Sequence, residues 1–343
     1  MTVLSSFNDF NRLQEIILGS ALGAHTPASE LSLTHFFQPP AGHENERVSA
    51  ARLRQVIEQT EEDMAELAHV LESFHVTVRR PDSLHRNERV SMPGWTAETM
   101  YALMPRDCLL VAGSTVIEAP MPNRSRYCET FPFRGLLREY FDGGANWLAA
   151  PRPQLADSTY LFTEAGPVLA EDEPLFDAAN VIRCGADIFY NVSNTGNRLG
   201  ARWLANVLGP SFRVHEMSIC DDHVGTTIQL LRPGVLIANS GRLQPQDIPA
   251  PLRSWKTLWF ENPADDGFGF EWPRASVWVG MNTLSVDEET VIVPDNQVSL
   301  RKMLEAEGFV VVPVRFRHGR TFGGGFHCCS LDVRRSGGQE SYV

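Results

Sequence analysis

The sequence predicts an α/β protein assembled from five repeats of a strand–strand–helix–strand (ββαβ) unit. Three observations predict it. Short apolar or β-branched runs fold about tight polar or glycine turns, the pattern of a hairpin. Stretches of near-helical apolar period follow most of these hairpins. A further strand-like run then closes each unit.

Residues 13–19, Leu13-Gln14-Glu15-Ile16-Ile17-Leu18-Gly19, open the first copy. The second hairpin is read at 107–112 and 116–118 about Gly113-Ser114-Thr115, and the third at 180–183 and 188–192 about Cys184-Gly185-Ala186-Asp187. The fourth spans 227–231 and 235–238 about Arg232-Pro233-Gly234, and the fifth 283–286 and 290–293 about Asp287-Glu288-Glu289. Helical period appears over 53–74, where Leu53, Val56, Ile57, Met64, Leu67, Val70 and Leu71 recur on one face. It recurs over 136–141, 199–208 and 300–306, and faintly over 248–252. Closing strands are expected at 76–78, 147–148, 212–214, 255–260 and 309–312. Repeats of this size pack on their neighbours around a shared centre, so residues 1–343 are expected to form one domain. Loops are expected over 38–46, 164–173 and 262–274, and a frayed tail over 336–343.

Composition narrows the function. A chain of 343 residues with 43% hydrophobic and 21% charged residues can build a core. Net charge is −12 with no basic stripe, which argues against nucleic acid as a partner. The six cysteines form no C-x-x-C pair and no Cys/His cluster with zinc-like spacing, so no metal site is expected. The N-terminus lacks a signal-peptide pattern, and no apolar run approaches the roughly 18 residues of a membrane span. A soluble cytoplasmic protein with reduced thiols is the expectation.

The chemistry-bearing segment is Gly323-Gly324-Gly325-Phe326-His327-Cys328. Glycine lacks a Cβ and allows close approach to the backbone, so Cys328 is expected to be a reachable thiol and a candidate nucleophile. Two core cysteines beside a flexible loop would give the same letters. A thiol nucleophile needs a proton-transfer partner, usually histidine, and ten histidines leave the choice open. His327 would point away from Cys328 if both lay on one strand, which favours His223, just ahead of the fourth hairpin. Asp107 and Asp177 stand at equivalent edges of units two and three. Carboxylates converging there suit a planar cation with several N–H donors, a guanidinium.

Taken together, the chain resembles the amidinotransferase family, most closely its arginine:inosamine-phosphate members and also glycine amidinotransferase. The resemblance rests on Met104-Pro105-Arg106-Asp107, on Ile117-Glu118-Ala119-Pro120-Met121 with Arg124-Ser125-Arg126, and on Phe176-Asp177-Ala178-Ala179-Asn180. It extends to Ser276-Val277-Trp278-Val279-Gly280-Met281-Asn282 and to the glycine run with Asp332-Val333-Arg334-Arg335. It implies the five-bladed α/β propeller of the pentein superfamily, with pseudo-five-fold symmetry. It implies Cys328 as nucleophile, His223 as general acid/base and Asp177 as the group orienting it. Asp107 is implied to grip the donor guanidinium, Arg242 to bind the donor carboxylate, and Ser276 to lie beside it. The implied reaction moves the amidino group of L-arginine to an acceptor amine in natural-product biosynthesis, without metal or organic cofactor, in a homodimer by analogy.

One departure stands out. The family reads His-Xaa-Asp where this chain has His223-Val224-Gly225, so Asp221 or Asp222 substitutes, or the donor is held differently, or the donor is not ordinary L-arginine. Asp222 lies near the family's acceptor pocket and favours a cationic acceptor such as lysine or a polyamine, while an inosamine phosphate or glycine also fits the core motifs. Water in place of the amine would make the enzyme an arginine deiminase-like hydrolase. The missing carboxylate alone would suit a non-catalytic guanidino-binding protein.

Overall fold

The computed structural model describes residues 4–37, 48–82 and 89–343. Five separate three-stranded sheets form its frame, and none of them closes on itself. Each joins one antiparallel pair to a third, parallel strand. In the second unit Leu109–Ala112 pairs antiparallel with Thr115–Glu118, which pairs parallel with Asn146–Ala149. The third uses Val181–Cys184, Asp187–Asn191 and Arg213–Met217, and the fourth Ile228–Arg232, Val235–Asn239 and Lys256–Phe260. Leu284–Ser285, Thr290–Pro294 and Val310–Val314 make the fifth. These strands fall within a few residues of the sequence expectation. Val181–Cys184 and Asp187–Asn191 are buried along their whole length, which is why they read as continuous apolar runs instead of alternating ones.

The first unit is not a local hairpin. Leu13–Leu18 pairs antiparallel with Ser330–Arg335 from the other end of the chain, and parallel with Thr77–Arg79. The strand that follows Cys328 therefore completes the sheet that the N-terminus begins.

Helices Ala50–Ser73, Arg134–Asp142, Arg198–Leu208 and Val298–Ala306 lie between the second and third strands of their units. The longest starts at Ser49, whose hydroxyl accepts from the Arg52 N–H, and buries Val56, Thr60, Met64, Leu67 and Leu71 on one face. Unit four has instead two 3₁₀ turns, Pro245–Asp247 and Ala250–Leu252. Pro245, Pro249 and Pro251 supply no backbone N–H there, so an α-helix has no donors to propagate. This accounts for the faint helical signal.

Two additional hairpins, Arg89–Met92 with Trp95–Glu98 and Tyr160–Thr163 with Gly166–Leu169, share an apolar cluster with Leu155 and Leu175. The second occupies part of the loop expected over 164–173. Residues 262–274 form no helix or strand, as expected, whereas the loop read at 38–46 lies outside the described residues. At the C-terminal end, Glu340 O accepts from Ala186 N at 2.7 Å, and Tyr342 stacks edge-on against Phe10 at 5.2 Å. Among the described residues no helix is long and apolar enough to cross a membrane.

Units one, two and three meet on a buried ionic network. The Arg183 guanidinium, 2% exposed, donates to both Asp332 carboxylate oxygens at 2.7 and 2.8 Å and to Asp9. Arg106 and Arg335 donate to the same Asp332. Burial opposes ionisation of Asp332, yet the guanidiniums of Arg183, Arg106 and Arg335 hold its carboxyl well below the ordinary range.

Candidate active site

In each unit a short helical or turn segment precedes the first strand, and these five segments bring the candidate residues together. Asp107 lies in the helix Pro105–Cys108 and Asp177 immediately before the 3₁₀ turn Ala178–Asn180. His223 precedes the turn Val224–Thr226, Ser276 precedes Val277–Met281, and Cys328 lies in the turn before Ser330–Arg335.

The glycine run is explained by crowding. Gly323 adopts φ 94°, the left-handed conformation that ends the short helix Gly319–Phe322. A Cβ on Gly324 would lie 2.7 Å from the Cys328 Cβ and from the Met104 sulfur. The chain thus folds back onto Cys328. Arg106 Nε secures the turn from below by donating to His327 O at 2.8 Å and Ser330 O at 3.0 Å. Cys328 is only 4% exposed, which corrects the expectation of an open thiol: the sulfur-bearing residue lines enclosed cavities instead of the outer surface. His327 and Cys328 lie in a turn, so the alternation of strand side chains does not separate them. The His327 ring is held instead toward Asp9, with Nε2 3.6 Å from its carboxylate.

His223 stands among the acids. Its Nε2 is 2.7 Å from Asp177 Oδ2, its Nδ1 is 3.9 Å from Asp107 Oδ1, and it interacts with the Cys328 thiol. Burial opposes protonation of this imidazole. The charge of Asp107, the hydrogen bond to Asp177 and the interaction with Cys328 outweigh it, so the pKa is raised well above the ordinary value. Burial, then the negative charge of Asp107, pushes the Cys328 thiol up, against a smaller lowering by His223. Burial likewise raises Asp177, opposed by His223. The two shifts together favour an imidazolium beside a protonated thiol.

The larger cavity, with about 730 Å³ of empty space, is lined by Cys328, His223, Asp177, Asp107, Asp222, Arg242 and Ser276 together. All seven residues singled out in the sequence therefore share one chamber. Asp107 Oδ1 and Asp177 Oδ1 are buried without a hydrogen-bond partner. Two carboxylate oxygens lacking donors are a chemical request for N–H groups. Arg242 is exposed, and its Nη1 donates to Thr227 Oγ1 at 3.1 Å, which fixes the base of the guanidinium. Asp222 is exposed and accepts from the His223 backbone N–H at 2.6 Å. Gly225 does not line this chamber but a smaller one of about 480 Å³, also bordered by Cys328.

Several residues of the chamber escaped sequence reasoning. Arg126 donates to Asp107 Oδ2 at 2.8 Å and pairs with Glu129, so it orients Asp107 while leaving Oδ1 available. Its place in Arg124-Ser125-Arg126 was visible, but nothing local linked it to an acid 19 residues earlier. Arg274 stacks at 3.6 Å on Trp272 and 5.3 Å from Phe37, and Phe36 and Phe37 form part of the wall. Trp272 and Arg274 come from a stretch that read as loop, and Phe36 and Phe37 from one to which no element was assigned.

Comparison with known proteins follows the same line. No protein-family model matches the chain. It is 41% identical to an inosamine-phosphate amidinotransferase of Streptomyces glaucescens, over all of this chain and 99% of that one. Identity is 36% to an L-arginine:L-lysine amidinotransferase of Pseudomonas savastanoi pv. phaseolicola, over 98% of this chain and 96% of the relative. The solved structure of the inosamine-phosphate amidinotransferase of Streptomyces griseus superposes with a TM-score of 0.93 at 38% identity, covering 100% of this chain and 99% of that one.

Proposed function

Because this chain belongs to the amidinotransferase family, we propose that it carries the amidino group of L-arginine to an acceptor amine through an amidino-Cys328 intermediate. The observation that carries the proposal is the unpartnered pair Asp107 Oδ1 and Asp177 Oδ1 beside the Cys328–His223 pair. A guanidinium lying between the two acids satisfies both oxygens and offers its central carbon to the sulfur. Arg242 and Ser276, on the same chamber, take the donor carboxylate.

Burial, and after it the negative charge of Asp107, favours the protonated form of the thiol. An entering guanidinium cation reverses that local field, and the thiol releases its proton to solvent. The thiolate then attacks the guanidinium carbon. As the bond from that carbon to the substrate nitrogen breaks, imidazolium His223 gives its proton to the departing nitrogen, and ornithine leaves with a neutral amine. Cys328 now bears a cationic amidino group and His223 is neutral. The acceptor amine attacks the same carbon, His223 takes its proton, and the thiolate departs, leaving a new guanidinium. Atoms and charge balance in both halves, and the kinetics are ping-pong.

The five units are proposed to be the blades of a five-bladed propeller with pseudo-five-fold symmetry in one domain. The supporting pattern is that every unit delivers its pre-strand segment to one chamber. Asp222, at the chamber's exposed margin, is proposed to receive a cationic acceptor. Mass spectrometry of the enzyme after L-arginine alone tests the scheme. An amidino adduct on the peptide carrying Cys328, discharged by an acceptor amine, is expected. Active enzyme without that adduct overturns the covalent route.

A further inference from the structure

We propose that Asn282 is a positioning residue that sets the distance between the nucleophile turn and the histidine turn, an inference that rests on the roles proposed for Cys328 and His223. Asn282 follows the turn Val277–Met281 and is fully buried. Its Oδ1 accepts from the backbone N–H of Cys328 at 3.0 Å and from that of Gly325 at 3.2 Å. Its Nδ2 donates to the backbone carbonyl of Gly225 at 3.3 Å, two residues beyond His223. One carboxamide therefore joins the segment that bears the sulfur to the segment that bears the imidazole.

Two of its three partners are glycines, for a shared steric reason. A Cβ on Gly325 would lie 2.7 Å from the Asn282 Cβ and 2.9 Å from its Oδ1. A Cβ on Gly225 would lie 2.6 Å from Nδ2. The departure at Gly225 thus has a physical consequence in this chain: it leaves the space that the amide of Asn282 occupies. Aspartate at 282 would keep the acceptor but lose the donor and add a negative charge beside the thiol. Alanine would lose both bonds. Asn282 lines neither cavity, so it acts through the two turns and not by contact with substrate.

The test uses the full chain with Asn282→Ala, Gly225→Ala and the double variant. Displacing a reacting pair by about 1 Å costs on the order of 100-fold. Asn282→Ala is expected to lower kcat for ornithine release by roughly that factor, with KM for arginine within about threefold. The pH midpoint for iodoacetamide labelling of Cys328 should also move, because the sulfur–imidazole pairing is altered. Gly225→Ala should reproduce part of both effects by pushing the amide aside, and the double variant should be no worse than Asn282→Ala. A folded Asn282→Ala enzyme with unchanged kcat and labelling midpoint overturns the proposal. So do single-variant losses that simply multiply, or a Gly225→Ala enzyme like the parent should Asn282→Ala not fold. Labelling does not require turnover. A parent that forms no amidino adduct therefore refutes the transfer scheme, whereas an unmoved midpoint in the variants refutes Asn282.

Discussion

Replacing Asp177 by asparagine changes one oxygen to an amide nitrogen at nearly constant volume, and the geometry gives the expected size of the loss. Asp177 Oδ2 lies 2.7 Å from His223 Nε2, and its other oxygen is buried without a partner. A hydrogen bond to a charged group is worth about 1.5–3 kcal/mol. The substitution weakens two of these in the proposed mechanism, one to the imidazolium and one to the donor guanidinium. The sum of about 3–6 kcal/mol corresponds to roughly two to four decades in kcat/KM. The pH dependence adds a second signature. His223 has a raised pKa, so its imidazolium persists above the ordinary histidine range and is lost as pH rises through the folded-state value. Removing the Asp177 charge lowers that value, so the alkaline limb for ornithine release should move toward acid. Initial rates from L-arginine across pH, with circular dichroism as a fold control, supply both readings. Activity within threefold of the parent and an unmoved alkaline limb would falsify the role given to this acid.

Arg183→Met should destabilise the protein by about 3–5 kcal/mol, because it breaks the buried bonds of this guanidinium to Asp9 and Asp332 and leaves Arg106 and Arg335 alone to hold both carboxylates; calorimetry should find a Tm lower by roughly 4–7 °C for a chain of this length. His35 is fully buried among Phe36, Tyr160 and Phe162, and burial depresses its pKa to about 4. The unfolded chain then binds the extra proton between about pH 6.5 and the folded value, so this group costs stability as pH falls through that window. His35→Phe should flatten the acid side of a Tm-versus-pH curve, and an unchanged slope would refute this. Asp222→Ala should raise KM for a cationic acceptor several-fold while leaving the arginine half-reaction nearly intact, which a comparison of amines by steady-state kinetics will reveal.

How much of this was readable from the letters depends on whether a signal was local. The strands of units two to five were legible because each hairpin carries its own turn, such as Gly113 at φ 61° and Gly185 at φ 71°. Helix 50–73 was legible from its apolar stripe. The closing of the first sheet by Ser330–Arg335 was not, because pairing across more than 300 residues leaves no mark in either segment. Asp107 and Asp177 were singled out as acids at equivalent edges of repeats, Cys328 by the glycine run before it and His223 by its place ahead of the fourth hairpin, while their roles came from the family resemblance. The oxygens of Asp107 are assigned by Arg126, 19 residues on in the same unit, and the amide of Asn282 by Gly225 and Gly325 from other units. Such relations exist only after the repeats have packed.

The charge pattern explains why such a site should have both a buried thiol and a salt-bridged wall. A nucleophile surrounded by bare acids would stay protonated, and one surrounded by bare cations would repel a guanidinium. Here Arg126 and Glu129 bind each other while Arg126 also holds one oxygen of Asp107, so the acid is fixed in place without losing its second oxygen. His223 compensates Asp177 in the same partial way. What remains is one unsatisfied oxygen on each acid and a thiol raised by burial and by Asp107. A planar cation answers both conditions at once: it fills the empty acceptors and lowers the cost of ionising the sulfur. In the proposed scheme the nucleophile therefore forms only once the donor is bound. That reasoning predicts about one proton released to solvent near neutral pH on binding of an L-arginine analogue in which carbon replaces the nitrogen that would leave with ornithine, so that binding is not followed by transfer. Titration calorimetry in buffers of differing ionisation enthalpy measures it, with Cys328→Ser as the control that releases none. Equal proton release from parent and variant would mean that the thiolate is already formed in the empty enzyme.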